Sequence, residues 1–361
     1  MTTFPKLFQL IIKYDDNITP ELEKCITEVN ETFVNVSTEN VSWMSDYTIL
    51  ESDSYENLLY IQENLSNKFD YIETTISPSY REIMTNGNNG NNGNNGLLLF
   101  KSRRSITNKI FMKSMPIPDD ILKLIHNKNT SELVDLLNQT FQINIKSNEQ
   151  ILLGDTNDIT NINIIINMNK NIYYFTDDVV KHCIQGFKWG LKTGLLMNSK
   201  INGSIFIICD IIAHPDVYHR SPGKLIPMAK RAIWSSVYNN EPKICEPVCS
   251  CIINYSKYKI RKIKKKLNEL INIKKIKKIK KIEDITINSQ KRKIYVNKIH
   301  ISQLIILIPY LKDIDADMKI NYKFDNFSII DDDTSKEIIK HRRKFLKLRD
   351  FCPNSVKYDK L

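Results

Sequence analysis

Over the first 76 positions, apolar and polar residues alternate in a strand, helix, strand, strand, helix, strand order. Strands are predicted over 7–14, 33–44, 47–51 and 71–76, and helices over 19–32 and 55–68. Thr19-Pro20 supplies a cap and a first-turn residue for the earlier helix. The same order returns further on, with a strand over 247–255, a basic helix over 256–272, strands over 276–287 and 293–301, a helix over 302–312 and a strand over 318–330. This is the split arrangement of ferredoxin-like modules. The pattern therefore predicts an α+β chain of three domains: ferredoxin-like α/β sandwiches at 1–76 and 247–361 flanking a distinct domain at 77–246. In the middle domain a helix starts near Thr176, with Asp177 and Asp178 in its first turn, where the dipole favours acids. Val179, Val180, Cys183, Ile184 and Phe187 recur along it at helical spacing. Gly186, Gly190 and Gly194 share an i, i+4 stripe where a second backbone could approach closely. A strand over 204–212 then leads into a polar loop.

Glycine sharpens this picture, because the chain has only 10 in 361 residues, against roughly 7% in average proteins. Four of them lie in the Asn/Gly tract 86–96, which cannot bury apolar surface and reads as a flexible loop insertion. The other six fall between Gly154 and Gly223. Neither G-x-x-x-x-G-K-[ST] nor G-x-G-x-x-G occurs, so an ordinary phosphate-cradling loop is excluded for this chain. Asn and Ile are abundant, so a single Asn carries little weight. The seven Cys are odd in number and lack the spacing of a disulfide scaffold, which points to reduced thiols in the cytoplasm. Cys245, Cys249 and Cys251 form the only cluster, with no second Cys/His pair at zinc spacing; they read as buried thiols. No apolar run approaches the roughly 18 residues of a membrane helix, so a soluble protein without a membrane partner is expected.

The net charge of +11 raises the expectation of a polyanionic partner. Its distribution matters more than its sum. Between Lys257 and Lys298 there are 17 Lys or Arg against 3 acids, so the rest of the chain is slightly acidic. Lys264, Lys265, Lys266, Lys274, Lys275, Lys277, Lys278, Lys280 and Lys281 are the candidate RNA-binding residues of this segment, part of which iterates Ile-Lys-Lys. Its period of three fits neither helix nor strand cleanly. A solvated basic face and a phosphate-backbone contact both remain open, while base stacking has no support there without interleaved aromatics. A smaller basic stretch carries Lys101, Arg103, Arg104, Lys109 and Lys113. The densest polar signal is His214-Pro215-Asp216-Val217-Tyr218-His219-Arg220-Ser221-Pro222-Gly223-Lys224. His214, Asp216 and His219 could in principle ligate a metal or form an acid–base pair, or the loop could simply pack. Arg220, Lys224, Lys230 and Arg231 favour an anionic partner.

The run from His214 to Pro227, continued through Met228-Ala229-Lys230-Arg231-Ala232-Ile233-Trp234 to Glu241-Pro242-Lys243-Ile244-Cys245-Glu246-Pro247, resembles the domain IV tip and following helix of eukaryotic and archaeal translation elongation factor 2. The family reads H-A-D-A-I-H-R-G-G-G-Q-I-I-P, then a helix with A-R-R, then Q-P-R-x-x-E-P. Gly186-Phe187-Lys188-Trp189 with Gly194-Leu195-Leu196 is similar to the family's A-G-F-Q-W-A-x-x-x-G-P-L helix. Ser77-Pro78-Ser79-Tyr80-Arg81-Glu82 is similar to the D-P-V-V-S-Y-R-E-T junction, Phe324 to Ile330 to F-D-H-W-Q-I-L, and the tail ending Asp359-Lys360-Leu361 to the family's last helix and D-K-L end. Departures are Ser221-Pro222 in place of two glycines, Ser102 to Lys109 in place of S-P-N-K-H-N-R, and Ser52 to Leu59 in place of G-x-G-E-L-H-L-E.

The resemblance implies domains III, IV and V of that family, with a ribosomal-protein-S5-domain-2-like domain IV between two ferredoxin-like domains and without the GTPase domain or domain II. His219 matches the histidine converted to diphthamide. His214, Asp216, Arg220 and Lys224, with Arg103, Arg104 and Lys109 of the second loop, would form the tip that meets the ribosome and its RNA. Implied are a non-enzymatic, cytoplasmic, ribosome-binding factor entering the A site like a tRNA, and diphthamide-synthesis enzymes as possible partners. No cofactor is expected, GTP being reachable only through a separate G-domain protein. A split GTPase, a translation inhibitor or decoy, and a non-ribosomal RNA-binding module are the alternatives.

Overall fold

A computed structural model describes residues 5–14, 20, 24–25, 27–28, 36–39, 47–85, 98–102, 105–154, 156–169, 177–256, 261–263, 265, 281–286, 291–314 and 318–349. The chain forms two compact units, one of residues 1–3, 81–244 and 330–361, the other of residues 4–80 and 245–329. The architecture is α+β.

In the second of these units the first half carries β1 (Phe8–Tyr14), β2 (Val36–Glu39), β3 (Tyr47–Ser52), α1 (Tyr55–Lys68) and β4 (Ile72–Pro78). The strands pair antiparallel in the order β2-β3-β1-β4, with Phe8 opposite both Ser52 and Pro78. Helix α1 begins where Ser54 accepts a hydrogen bond from the Asn57 N–H, an N-cap that satisfies an otherwise orphaned donor. It buries Tyr55, Leu58, Ile61 and Leu65, the stripe that helical spacing predicts.

Residues 81–244 build the unit that matters most for function. Its strands are β5 (Arg81–Met84), β6 (Leu98–Ser102), β7 (Ser105–Pro116), β8 (Ile151–Gly154), β9 (Asn163–Asn167), β10 (Lys200–Ile201) and β11 (Ser204–Ile212). Its helices are α2 (Asp119–Ile125), α3 (Thr130–Phe141), α4 (Asp177–Lys192) and α5 (Pro222–Tyr238). Five strands form one sheet, β6-β7-β11-β9-β8, in which β11 runs antiparallel to β7 and parallel to β9. Successive side chains of a strand point to opposite faces, and β11 shows it. Phe206 and Ile208 join a core with Val179, Phe187, Ala229 and Ile233 of α4 and α5, while Ile205 and Ile207 join another with Leu122, Leu133 and Leu137 of α2 and α3. The sheet is thus covered on both faces, which accounts for the nearly unbroken apolar run of β11. The pair α2 and α3 was not among the predicted elements. Its clearest sequence mark is the capping box in which Asn129 and Glu132 satisfy each other's backbone N–H.

Helices α4 and α5 meet along the glycine stripe. A Cβ at Gly186 would overlap the carbonyl oxygen of Ile226 and lie 2.6 Å from the Ala229 Cβ, and one at Gly190 would lie 3.0 Å from the Ile233 Cβ. The third glycine serves a different contact. Gly194 makes room for the carboxyl group of Glu82, which is fully buried in β5 and accepts the N–H groups of Leu196 (2.8 Å), Met197 (2.9 Å) and Ser199 (3.3 Å). Burial pushes the Glu82 carboxyl up to about 7, and the three N–H groups and Arg343 limit that rise.

The remaining elements are β12 (Pro242–Ser256), β13 (Lys281–Thr286), β14 (Lys291–His300), α6 (Ile301–Ile314), β15 (Lys319–Ile329) and α7 (Asp332–Phe345). Residues 245–329 belong with the first 80, and their strands pair antiparallel as β13-β14-β12-β15. This repeats the order second, third, first, fourth of β1 to β4. One core joins the halves, with Leu10, Ile12 and Leu58 beside Cys251, Ile253 and Leu304, and the Phe8 and Tyr322 rings 5.5 Å apart edge to face. Helix α7 groups instead with residues 81–244. Its buried Arg343 donates to the carbonyls of Leu195 (3.2 Å) and Leu196 (2.6 Å), in the turn whose N–H groups bind Glu82.

Two outcomes follow. Gly186→Ala should lower stability by about 1–3 kcal/mol through overpacking, and Gly190→Ala by less, as read by denaturant midpoint. Because Glu82 holds its proton up to about pH 7 when folded and only to about 4.5 as a free side chain, native protein binds more protons between those limits and stability should fall as pH rises through them. Glu82→Gln should flatten that slope, and it should cost about 1–3 kcal/mol because its amide N–H₂ cannot accept from the backbone. Denaturation at a series of pH values reads both.

Candidate functional site

The loop after β11 is held at its root by a residue of the neighbouring strand. Asn108 of β7 is fully buried, accepts the His214 N–H (2.8 Å) and donates to the His219 carbonyl (2.8 Å), closing the loop from both ends. Asp216 shapes what lies between. Its Oδ1 accepts from the Tyr218 N–H (3.0 Å) and its carbonyl from the His219 N–H (3.1 Å), which starts the 3-10 turn Val217–Arg220.

The Asp216 N–H donates to His214 Nδ1 (3.0 Å), and the Lys224 ammonium, a donor only, reaches His219 Nδ1 (3.3 Å) and the Tyr218 carbonyl (3.2 Å). Both imidazoles therefore accept at Nδ1, and each carries its proton at Nε2 when neutral. Their ring centroids lie 4.5 Å apart, and His219 Nε2 is 3.9 Å from Asp216 Oδ2. Arg220 turns away from the tip: its side chain is only 16% exposed and its Nε lies 3.3 Å from Asp178 Oδ2 in the first turn of α4. It braces the loop rather than presenting a charge.

The Ser221-Pro222-Gly223 segment opens α5. Ser221 is the N-cap and Pro222 occupies the first turn, where a missing N–H costs nothing. A Cβ at Gly223 would meet nothing within 4 Å. Serine and proline therefore suit the geometry of this helix entry.

Of the expected tip residues, His214, Asp216, His219 and Lys224 come together through direct contacts. Lys109, half-buried on β7, lies opposite Ile212 at the loop's root. Arg103 and Arg104 lie outside the described residues, as do Lys264, Lys266, Lys274, Lys275, Lys277, Lys278 and Lys280. Lys265 is exposed beside the buried Ile263, and Lys281 opens β13 opposite Asn297. Among the described residues no three His, Cys, Asp or Glu converge as a metal would need. Cys249 and Cys251 are buried, and burial pushes the Cys251 thiol up to about 12. Nor is any helix of the described residues long and apolar enough to cross a membrane.

Residues 143–240 match the family model of elongation factor G, domain IV. This segment, which contains the loop, α4 and α5, is thus similar to domain IV of elongation factor G. The clamp residue Asn108 lies before it in sequence and was not among the expected site residues. An amide in the strand Asn108-Lys109-Ile110-Phe111-Met112 was its only sequence mark, one that the abundance of Asn obscured.

Replacing Asn108 by Ala should leave the half-buried His214 N–H and His219 carbonyl without this partner, at about 1–3 kcal/mol. Asn108→Asp keeps the first bond and loses the second. Hydrogen exchange of the His214 amide should speed up markedly in the Ala variant and much less in the Asp variant.

Proposed function

We propose that this protein is a ribosome-binding factor of the elongation factor 2 type, whose domain IV enters the A site as the anticodon arm of a tRNA does. The observation that carries the reading is the domain IV match together with the loop 214–224, braced at Asn108 and carrying His214, His219 and Lys224. RNA backbones are gripped by such donors and by charge, whatever the base sequence. On this reading the two sheets of order second, third, first, fourth are ferredoxin-like domains III and V, and Lys264–Lys266 and Lys274–Lys281 anchor ribosomal RNA. His219 is the residue that diphthamide-synthesis enzymes would modify, and the protein works in the cytoplasm.

Co-sedimentation with ribosomes at about 100 mM salt should give a protein peak that is lost steeply as salt rises, because phosphate contacts release counterions. Absence of a ribosomal peak at low salt overturns the reading. Mass spectrometry of the tryptic peptide containing His219 separates a modified factor from an unmodified one.

A further inference from the structure

Tyr218 is the most exposed large apolar side chain among the described residues, at 76%. Its position is nevertheless tightly set. Its N–H is held by Asp216 Oδ1 at 3.0 Å and its carbonyl by the Lys224 ammonium at 3.2 Å. The same ammonium lies 4.9 Å from the centre of its ring, and the His219 ring meets it edge to face at 5.5 Å. With Lys224 over one face and three-quarters of the side chain in solvent, the ring offers an open aromatic surface on a backbone fixed in advance. Little ordering remains to be done when a flat ligand settles on it.

The surroundings select the ligand's chemistry. Lys224 presents a donor next to the ring and His219, whose Nε2 lies 3.9 Å from Asp216 Oδ2, a second, while the other oxygen of that carboxylate is already taken by the Tyr218 N–H. Donors beside an aromatic face suit a π-system that carries phosphate. We infer that Tyr218 is a stacking platform for an unpaired RNA base, with Lys224 beneath the ring and beside the base's own phosphate. The inference rests on the ribosome-binding reading above and adds to it a contact that depends on bases rather than on charge.

Base–aromatic stacking tolerates any sequence because every base has a π-face, so a simple probe suffices. In Tyr218→Trp, tryptophan emission should be quenched by short oligoadenylate and much less by the abasic oligomer of the same length, after subtracting the wild-type signal from the chain's 3 native Trp. Tyr218→Ala should bind oligoadenylate about 5- to 150-fold more weakly than wild type, and Tyr218→Phe, which keeps the ring, should bind as wild type does. Equal quenching by the abasic oligomer, or equal affinity of the Ala variant, overturns the inference in favour of a purely ionic contact. Ribosome co-sedimentation of the same variants keeps the two ideas apart. Pelleting that persists in Tyr218→Ala with unchanged oligoadenylate affinity removes the platform alone. Failure of wild type to pellet, with base-dependent quenching intact, removes the ribosomal reading and leaves the platform standing.

Discussion

The close approach of α4 and α5 is the contact on which the functional end of the 81–244 unit depends. At Gly186 the carbonyl of Ile226 occupies the space of a side chain, so α5 is seated by backbone contact rather than by adaptable side chains. Backbone contact leaves little freedom to slide. The first turn of α5 carries Lys224, and its N-cap Ser221 directly follows the 3-10 turn of the loop. The Asp177 and Asp178 pair at the start of α4 supplies the carboxylate that holds Arg220. A change at this helix contact would therefore be felt at the loop through both of its attachments.

A second buried polar device secures the same unit at its other helical connection. The turn after α4 spends three N–H groups on Glu82 and two carbonyls on Arg343, so a carboxyl and a guanidinium that burial would otherwise penalise are both satisfied by one stretch of backbone. This explains why α7, far along the chain, packs with residues 81–244. Its placement comes from a hydrogen-bonded arginine, and no apolar pattern announces it.

What could be read in advance followed from local rules. The boundaries of α1 and β11 came out at 55–68 and 204–212, because an N-cap serine in one case and a nearly unbroken apolar run in the other mark them within the segment itself. The close approach at Gly186 and Gly190 likewise needed only their spacing, whereas Gly194, on the same stripe, serves Glu82 instead. Elements governed by partners distant in sequence were harder to read. A strand was expected over 247–255, yet β12 begins at Pro242; its pairing with β14 starts at Val248, so Pro247, which lacks a ladder donor, faces no donor requirement on that side. Helices α2 and α3 are short, and their polar half matches the Asn-rich composition around them. Arg220 read as an outward cation because Asp178, its partner, lies on another helix.

The tip illustrates why charge totals are poor guides to a binding surface. Asp216 within the loop and Asp178 on α4 offset much of what His219, Arg220 and Lys224 could contribute, and Arg220 is only 16% exposed. What remains facing solvent is a set of oriented donors and an aromatic ring whose position is fixed by hydrogen bonds. The excess positive charge of the chain lies instead between Lys257 and Lys298. Contacts from such a lysine-rich segment weaken steeply with salt, whereas stacking and oriented hydrogen bonds do not depend on counterion release. On the ribosome-binding reading proposed above, the lysine-rich segment would supply affinity and the loop register, since a charge can meet any phosphate but only a braced loop presents the same atoms each time.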